Sequence, residues 1–181
     1  MVTFLIKKIE ILPMDKFDMI NAAILTISDL GSQGKRQDTS GETITTILLD
    51  HSIQIISKEI VPDEIAPIQH KLVQWAESGD IDLIITTGGT GLSPRDVTPE
   101  ATYPLLERHI PGISESIRSI IHSNTPMSMI SRGVSGIRSD CLIINLPGST
   151  KAVKECMELI IPVIPHAIDL MKGNTSNHPT S

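Results

Sequence analysis

Short apolar runs alternate along this chain with longer stretches whose apolar residues recur every three to four positions. Residues 22–28 (AAILTIS), 53–61, 82–87 (DLIITT) and 140–146 (DCLIINL) are runs of the first kind. Unbroken apolar character over so few residues predicts strands covered on both faces. Residues 42–51, with Ile44, Ile47 and Leu48 on one side, and 64–78, with Ile65, Ile68, Leu72 and Trp75, predict amphipathic helices. Two further helices are expected over 99–109 and 113–123, divided by Pro111-Gly112, and an extended segment over 127–137. A last helix, 150–171, should bend at Pro162 and Pro165, which cannot donate to its ladder. Strands alternating with helices predict a three-layer α/β/α domain: an open, mainly parallel sheet with helices on both faces. Right-handed crossovers then bring the strand carboxyl ends to one edge, where such folds hold ligands.

This pattern accounts for residues 21–172 as one domain. Residues 1–20 read as an N-terminal extension, either an ordered arm or the product of an early start codon, and 173–181 (GNTSNHPTS) as a C-terminal tail. A length of 181 residues suits one full core. A net charge of −6 and only two Phe, one Trp and one Tyr argue against nucleic-acid binding. No stretch approaches about 18 apolar residues, so no membrane span is expected. Cys141 and Cys156 form no CxxC pair, and the start is apolar then basic, the reverse of a signal peptide, so a reducing cytoplasm is the expected setting.

The polar residues that follow the strands carry the chemistry. The first strand leads into Ser28-Asp29 and then Asp38-Thr39-Ser40-Gly41, and the second into Val61-Pro62-Asp63-Glu64. The third leads into Gly88-Gly89-Thr90-Gly91 and on to Arg95-Asp96-Val97-Thr98-Pro99-Glu100, and the late strand into Asn145-Leu146-Pro147-Gly148-Ser149. Three glycines in four residues make either a flexible turn or a nest of N–H groups for an anion. Asp96 is either a solvated loop acid or a ligand for Mg²⁺, which takes one or two carboxylates plus phosphate oxygens. Asp63 has the same two readings or caps the helix it precedes, and Asp29 and Asp38 fix turns or face the edge. Residues 145–149 make either a plain strand-to-helix turn or a site for phosphate or a base edge. Arg95, Arg132, Arg138 and Lys151 are the neighbouring cations. The six His lack metal-ligand spacing, and neither a P-loop nor a GxSxG elbow is present. Cys141, Cys156, Met127 and Met129 read as packing. The residues by themselves give an α/β protein with an anion-binding edge and leave the reaction open.

Taken together and in this order, the segments 24–29 (ILTISD), 38–41 (DTSG), 61–64 (VPDE), 86–91 (TTGGTG), 95–101 (RDVTPEA) and 142–148 (LIINLPG) resemble the MoaB/Mog family of molybdenum-cofactor biosynthesis. They are similar as well to the G domains of gephyrin and of the plant cofactor protein. The resemblance implies molybdopterin adenylyltransferase activity. ATP and molybdopterin would be the substrates, adenylyl-molybdopterin and pyrophosphate the products, Mg²⁺ the cofactor, and a homotrimer the assembly. A molybdenum-insertion enzyme is the implied partner. Asp63 and Asp96 match the acids essential for adenylylation and are the metal candidates. Gly88, Gly89, Thr90, Gly91, Asn145, Pro147, Gly148 and Ser149 match the nucleotide–pterin site, and Ser131 a pterin-side position. Ser28, Asp29, Ser40 and Gly41 complete the substrate-contacting set, with Arg95 steadying the transition state. The alternative is a non-catalytic molybdopterin-binding or scaffold paralogue.

Overall fold

The computed structural model describes residues 19–122 and 126–173. Most of the expected 1–20 extension and of the 173–181 tail, and Ser123 at the end of the 113–123 helix, lie outside the described residues. The strands are β1 (Asn21–Ile27), β2 (Gln54–Val61), β3 (Leu83–Thr87), β4 (Arg108–His109), β5 (Ser135–Arg138) and β6 (Cys141–Leu146). They form one sheet in the order β2-β1-β3-β6-β5-β4. The first four strands in that order run parallel, and β5 and β4 add on antiparallel. β3 and β6 are buried at every position, as their unbroken apolar runs require.

Alternate strand residues feed two cores. Ala22, Ile24, Leu83, Ile85, Leu142 and Ile144 face one side, where they meet α2 (Thr39–Asp50), α5 (Pro111–His122), α6 (Thr150–Ile160) and α7 (Ile164–Met171). Ala23, Leu25, Ile84 and Ile143 face the other, against α3 (Ile65–Ala76) and α4 (Thr98–Thr102). The result is the expected three layers.

The structure departs from the sequence expectation in four places. A one-turn helix, α1 (Asp29–Ser32), follows β1, with the Ser28 hydroxyl accepting from the Gly31 N–H. The helix expected over 99–109 stops early. Pro104 has no N–H to extend the ladder, so α4 tightens into a 3₁₀ turn at Tyr103–Leu105. The chain then turns extended, and the Glu107 and Ile110 N–H groups pair with the carbonyls of Ile137 and Ser135. The segment expected to be extended over 127–137 divides into a 3₁₀ helix, Pro126–Ile130, and β5, which forms a tight hairpin with β6 through Ser139 and Asp140, both at positive φ. The final helix breaks outright between Ile160 and Ile164, with Pro162 inside the break and Pro165 in the first turn of α7.

Candidate active site

Parallel pairing in register brings the ends of β1, β2, β3 and β6 to one edge: Ile27 lies beside Val61, Thr26 beside Thr87, and Thr87 beside Leu146. The loops that leave these ends enclose a polar cleft of about 460 Å³ and a second, more apolar cleft of about 390 Å³.

The glycine loop after β3 divides them. Gly88 and Gly89 have φ of 99° and 63°, a region that side chains disfavour. A Cβ on Gly88 would sit 2.3 Å from the Ile27 carbonyl oxygen, so only glycine passes there. Buried Thr98 holds the loop at both ends: its hydroxyl donates to the Gly88 carbonyl (2.9 Å) and its N–H to the Gly89 carbonyl (3.0 Å). The Gly88 N–H donates to the Leu146 carbonyl, and the Thr87 hydroxyl to the Pro147 carbonyl (2.7 Å), which ties the β3 and β6 loops together. Gly148 lies so near Gly88 that an added Cβ would be 3.2 Å from its Cα.

Asp63 and Asp96 both line the polar cleft, with Ser28, Ser40, Arg95 and the start of α6. Each acid has one oxygen fastened to backbone. Asp63 Oδ2 accepts from the Asp29 N–H (2.7 Å), and Asp96 Oδ2 from the Ser93 N–H (2.8 Å). Among the described residues Oδ1 of each has no hydrogen-bond partner. Asp29 returns the bond, its Oδ1 accepting from the Asp63 N–H (3.0 Å). Arg95 grips Asp29 with two N–H groups, at 2.8 and 3.1 Å. These Arg95 bonds, then the one from Asp63, hold the Asp29 carboxyl below its ordinary pKa. Asp63 moves the other way: burial raises its pKa, and the charges of Asp29 and Asp96 add to the shift against the pull of the Asp29 N–H and Arg95.

Two helices point their N-termini at the polar cleft. Asp38 caps α2 by accepting from the Gly41 N–H (2.8 Å), takes the Thr26 hydroxyl (2.9 Å) and lies 3.6 Å from Lys58 Nζ. Ser149 caps α6, and Thr39 and Thr150 share a hydrogen bond of 2.9 Å between the two helix starts. The paired positive ends suit an anion.

The second cleft is walled by Thr90, Gly91, Ser131 and Pro147 together with Met127, Ile130 and Cys156. Burial pushes the Cys156 thiol up to about 12, so it stays protonated at neutral pH. Four residues, Gly89, Asp96, Gly148 and Ser149, border both clefts.

Three expected site residues lie off both clefts. Asn145 is buried beneath the loops, where its amide donates to the hydroxyls of Thr86 (2.9 Å) and Thr102 (3.1 Å) and accepts from the Val134 N–H. Gly41 packs so tightly on the Asp38 carboxylate that a Cβ would meet Oδ2 at 2.1 Å. Asp29 acts from behind, through Asp63 and Arg95. Of the other cations, Arg132 clamps Gly91, Asp96 and Glu100, while Arg138 is spent on Leu105 and Glu77 at the β5–β6 hairpin. Sequence reasoning missed Arg36 and Gln37, which line the polar cleft from a loop with no distinguishing pattern. It also read Met127 and Met129 as packing, whereas both are exposed, Met127 (65%) on the wall of the apolar cleft.

The family described as "probable molybdopterin binding domain" matches residues 23–166, which includes every loop of this edge. The chain belongs to that family. It is 39% identical over 157 residues to a molybdopterin adenylyltransferase of Helicobacter pylori, covering 86% of this chain and 89% of that protein. It is 45% identical over 160 residues to gephyrin of Dictyostelium discoideum, covering 83% of this chain but 22% of that much longer one. The solved structure of the molybdopterin biosynthesis enzyme MoaB from Thermus thermophilus superposes with a TM-score of 0.81 at 47% identity, over 86% of this chain and 98% of that one.

Proposed function

We propose that this chain is a molybdopterin adenylyltransferase, which transfers AMP from ATP to the terminal phosphate of molybdopterin. The observation that carries this reading is the shared border. A polar cleft with two helix starts suits a triphosphate, an apolar cleft suits a pterin, and Asp96, Gly89, Gly148 and Ser149 lie where the two would meet. The relatives named molybdopterin adenylyltransferase support the same assignment.

In this reaction an oxygen of the molybdopterin phosphate attacks the α-phosphorus of ATP. A new P–O bond forms, the bond from the α-phosphorus to the bridging oxygen breaks, and its electron pair leaves with pyrophosphate. The second pKa of a phosphate monoester is about 6, so the attacking group is already ionised at pH 7 and needs no general base. The task is to place two anions together and stabilise the charge on the leaving group. The N–H groups of residues 89–91 and 148–149 hold phosphates, fixed by Thr98 and by the Thr87–Pro147 bond.

Mg²⁺ fits the donor set. Among the described residues no group of three or more His, Cys, Asp or Glu forms a protein cage, while Asp63 and Asp96 both line one cleft, each with one carboxylate oxygen bonded to backbone and the other without a hydrogen-bond partner. That is the one-or-two-carboxylate arrangement that Mg²⁺ takes beside phosphates. When bound it would neutralise charge on the phosphate oxygens. The same reading carries a homotrimer and delivery of the product to a molybdenum-insertion enzyme.

The deciding experiment is pyrophosphate release. It should require both ATP and molybdopterin, and Asp96→Asn should retain binding of each while losing orders of magnitude in rate. Pyrophosphate formed without molybdopterin would point to a nucleotide pyrophosphatase. Molybdopterin binding without release would point to a scaffold paralogue.

A further inference from the structure

Resting on the adenylyl-transfer reading, we infer that Arg36 is the cation that binds the β- and γ-phosphates of ATP and holds the departing pyrophosphate. Two cations line the polar cleft among the described residues, Arg36 and Arg95. Arg95 is committed: Nε and Nη2 both bond to the Asp29 carboxylate. Arg36 has neither an ion pair nor a hydrogen bond from its guanidinium among the described residues. The same cleft is lined by Asp38, Asp63 and Asp96, so a polyphosphate entering it meets carboxylates. Asp38 is offset by Lys58, which does not itself line the cleft. The uncommitted positive charge on the protein side is therefore Arg36.

Its placement is fixed by backbone. The loop 33–38 runs between two capped helix ends. The Lys35 N–H donates to the Leu30 carbonyl and Gly34 sits at φ 68°, the closing pattern of a helix C-terminus. Asp38 then caps α2. Arg36 thus stands two residues before the cap of α2, in the segment that brings Thr39 and Ser40 to the same cleft. The acids are left to the metal-bearing oxygens and Arg36 to the far end of the triphosphate. A guanidinium matches phosphate oxygens with two parallel N–H groups, and a charge-assisted pair of this kind is among the stronger hydrogen bonds.

The test uses the full chain with three probes: Mg-ATP, inorganic pyrophosphate and AMP. Arg36→Ala should weaken binding of ATP and of pyrophosphate by about tenfold or more. AMP, which lacks both outer phosphates, should bind as before, and the KM for molybdopterin should not move. Arg36→Lys should recover part of the loss. Lys35→Ala removes the same charge one residue away, outside the cleft, and should change nothing. The melting temperature of Arg36→Ala should equal that of the unaltered chain, because the side chain makes no internal bond. Unchanged ATP and pyrophosphate affinity in Arg36→Ala, or an equal loss for AMP, overturns the assignment. If the unaltered chain binds neither ATP nor pyrophosphate, the adenylylation reading itself falls, and this one with it.

Discussion

Asp63 and Asp29 exchange hydrogen bonds with each other's backbone, yet their carboxyls are driven apart in acidity. Arg95 keeps Asp29 ionised, while burial makes ionised Asp63 costly. For an acid with a raised folded pKa, the neutral form is favoured in the fold. Its contribution to stability is present in full below the unfolded value near 3.8 and is lost as pH rises through the folded value. Asp63→Asn should therefore melt higher than the unaltered chain at pH 7, and that gain should vanish near pH 3, where Asp63 is neutral in both states. The same substitution should slow adenylyl transfer, since the free oxygen no longer carries charge. Thermal melts at both pH values, set beside the rate, check this; a variant that loses rate and stability together at pH 7 would show Asp63 to be a structural acid. That Asp63 and Asp96 reach one edge was legible in the sequence, because they follow strands that had to end there, while their role in adenylylation came only from the family resemblance. Arg36 was not legible. An exposed arginine in a polar loop looks the same whether its charge is spent or free, and only the positions of Asp29 and Arg95 reveal the difference.

At the scale of elements, the edge is stiffened from below. Asn145 near the end of β6 bonds to Thr86 on β3 and Thr102 at the end of α4, so one buried amide joins two strands and a helix. It also satisfies the Val134 N–H just before β5. Asn145→Ala would leave the buried Thr86 hydroxyl without its partner, take the side-chain acceptor from the Val134 N–H and weaken that anchor. A loss of about 2–3 kcal/mol is expected, read from urea unfolding. Because Asn145 does not line either cleft, both KM values should change less than stability does. The sequence showed the strands well, since a run such as residues 82–87 allows few alternatives. It showed α4 poorly. Pro104 warned of an interruption, but the edge strand at Arg108–His109 is specified by its pairing with β5, more than twenty residues ahead, and has no local apolar signature. For the same reason the segment 127–137 read as one extended piece: nothing in its composition separates the 3₁₀ turn at Pro126–Ile130 from the hairpin that follows.

At the scale of the molecule, the layers serve to bring two unlike clefts to a single border. The sequence conveyed the edge, through the loops that leave parallel strands, but not its division in two. That division depends on how closely the β3 and β6 loops approach, and Gly148 sets the approach. A Cβ there would press on Gly88, which has no room to yield because the Ile27 carbonyl lies behind it and Thr98 and Leu146 hold its backbone. Gly148→Ala should therefore shift the border as a whole. Each substrate should still bind alone, but the reacting phosphates should be misplaced, and kcat should fall by about a hundredfold with smaller changes in either KM. Ser131→Ala, on the wall of the apolar cleft alone, should instead raise the KM for molybdopterin and leave that for ATP unchanged. Initial rates over a grid of both substrates separate the two patterns. Should Gly148→Ala raise only one KM and leave kcat intact, the clefts would have to act independently, and a border common to both could not be where the transfer takes place.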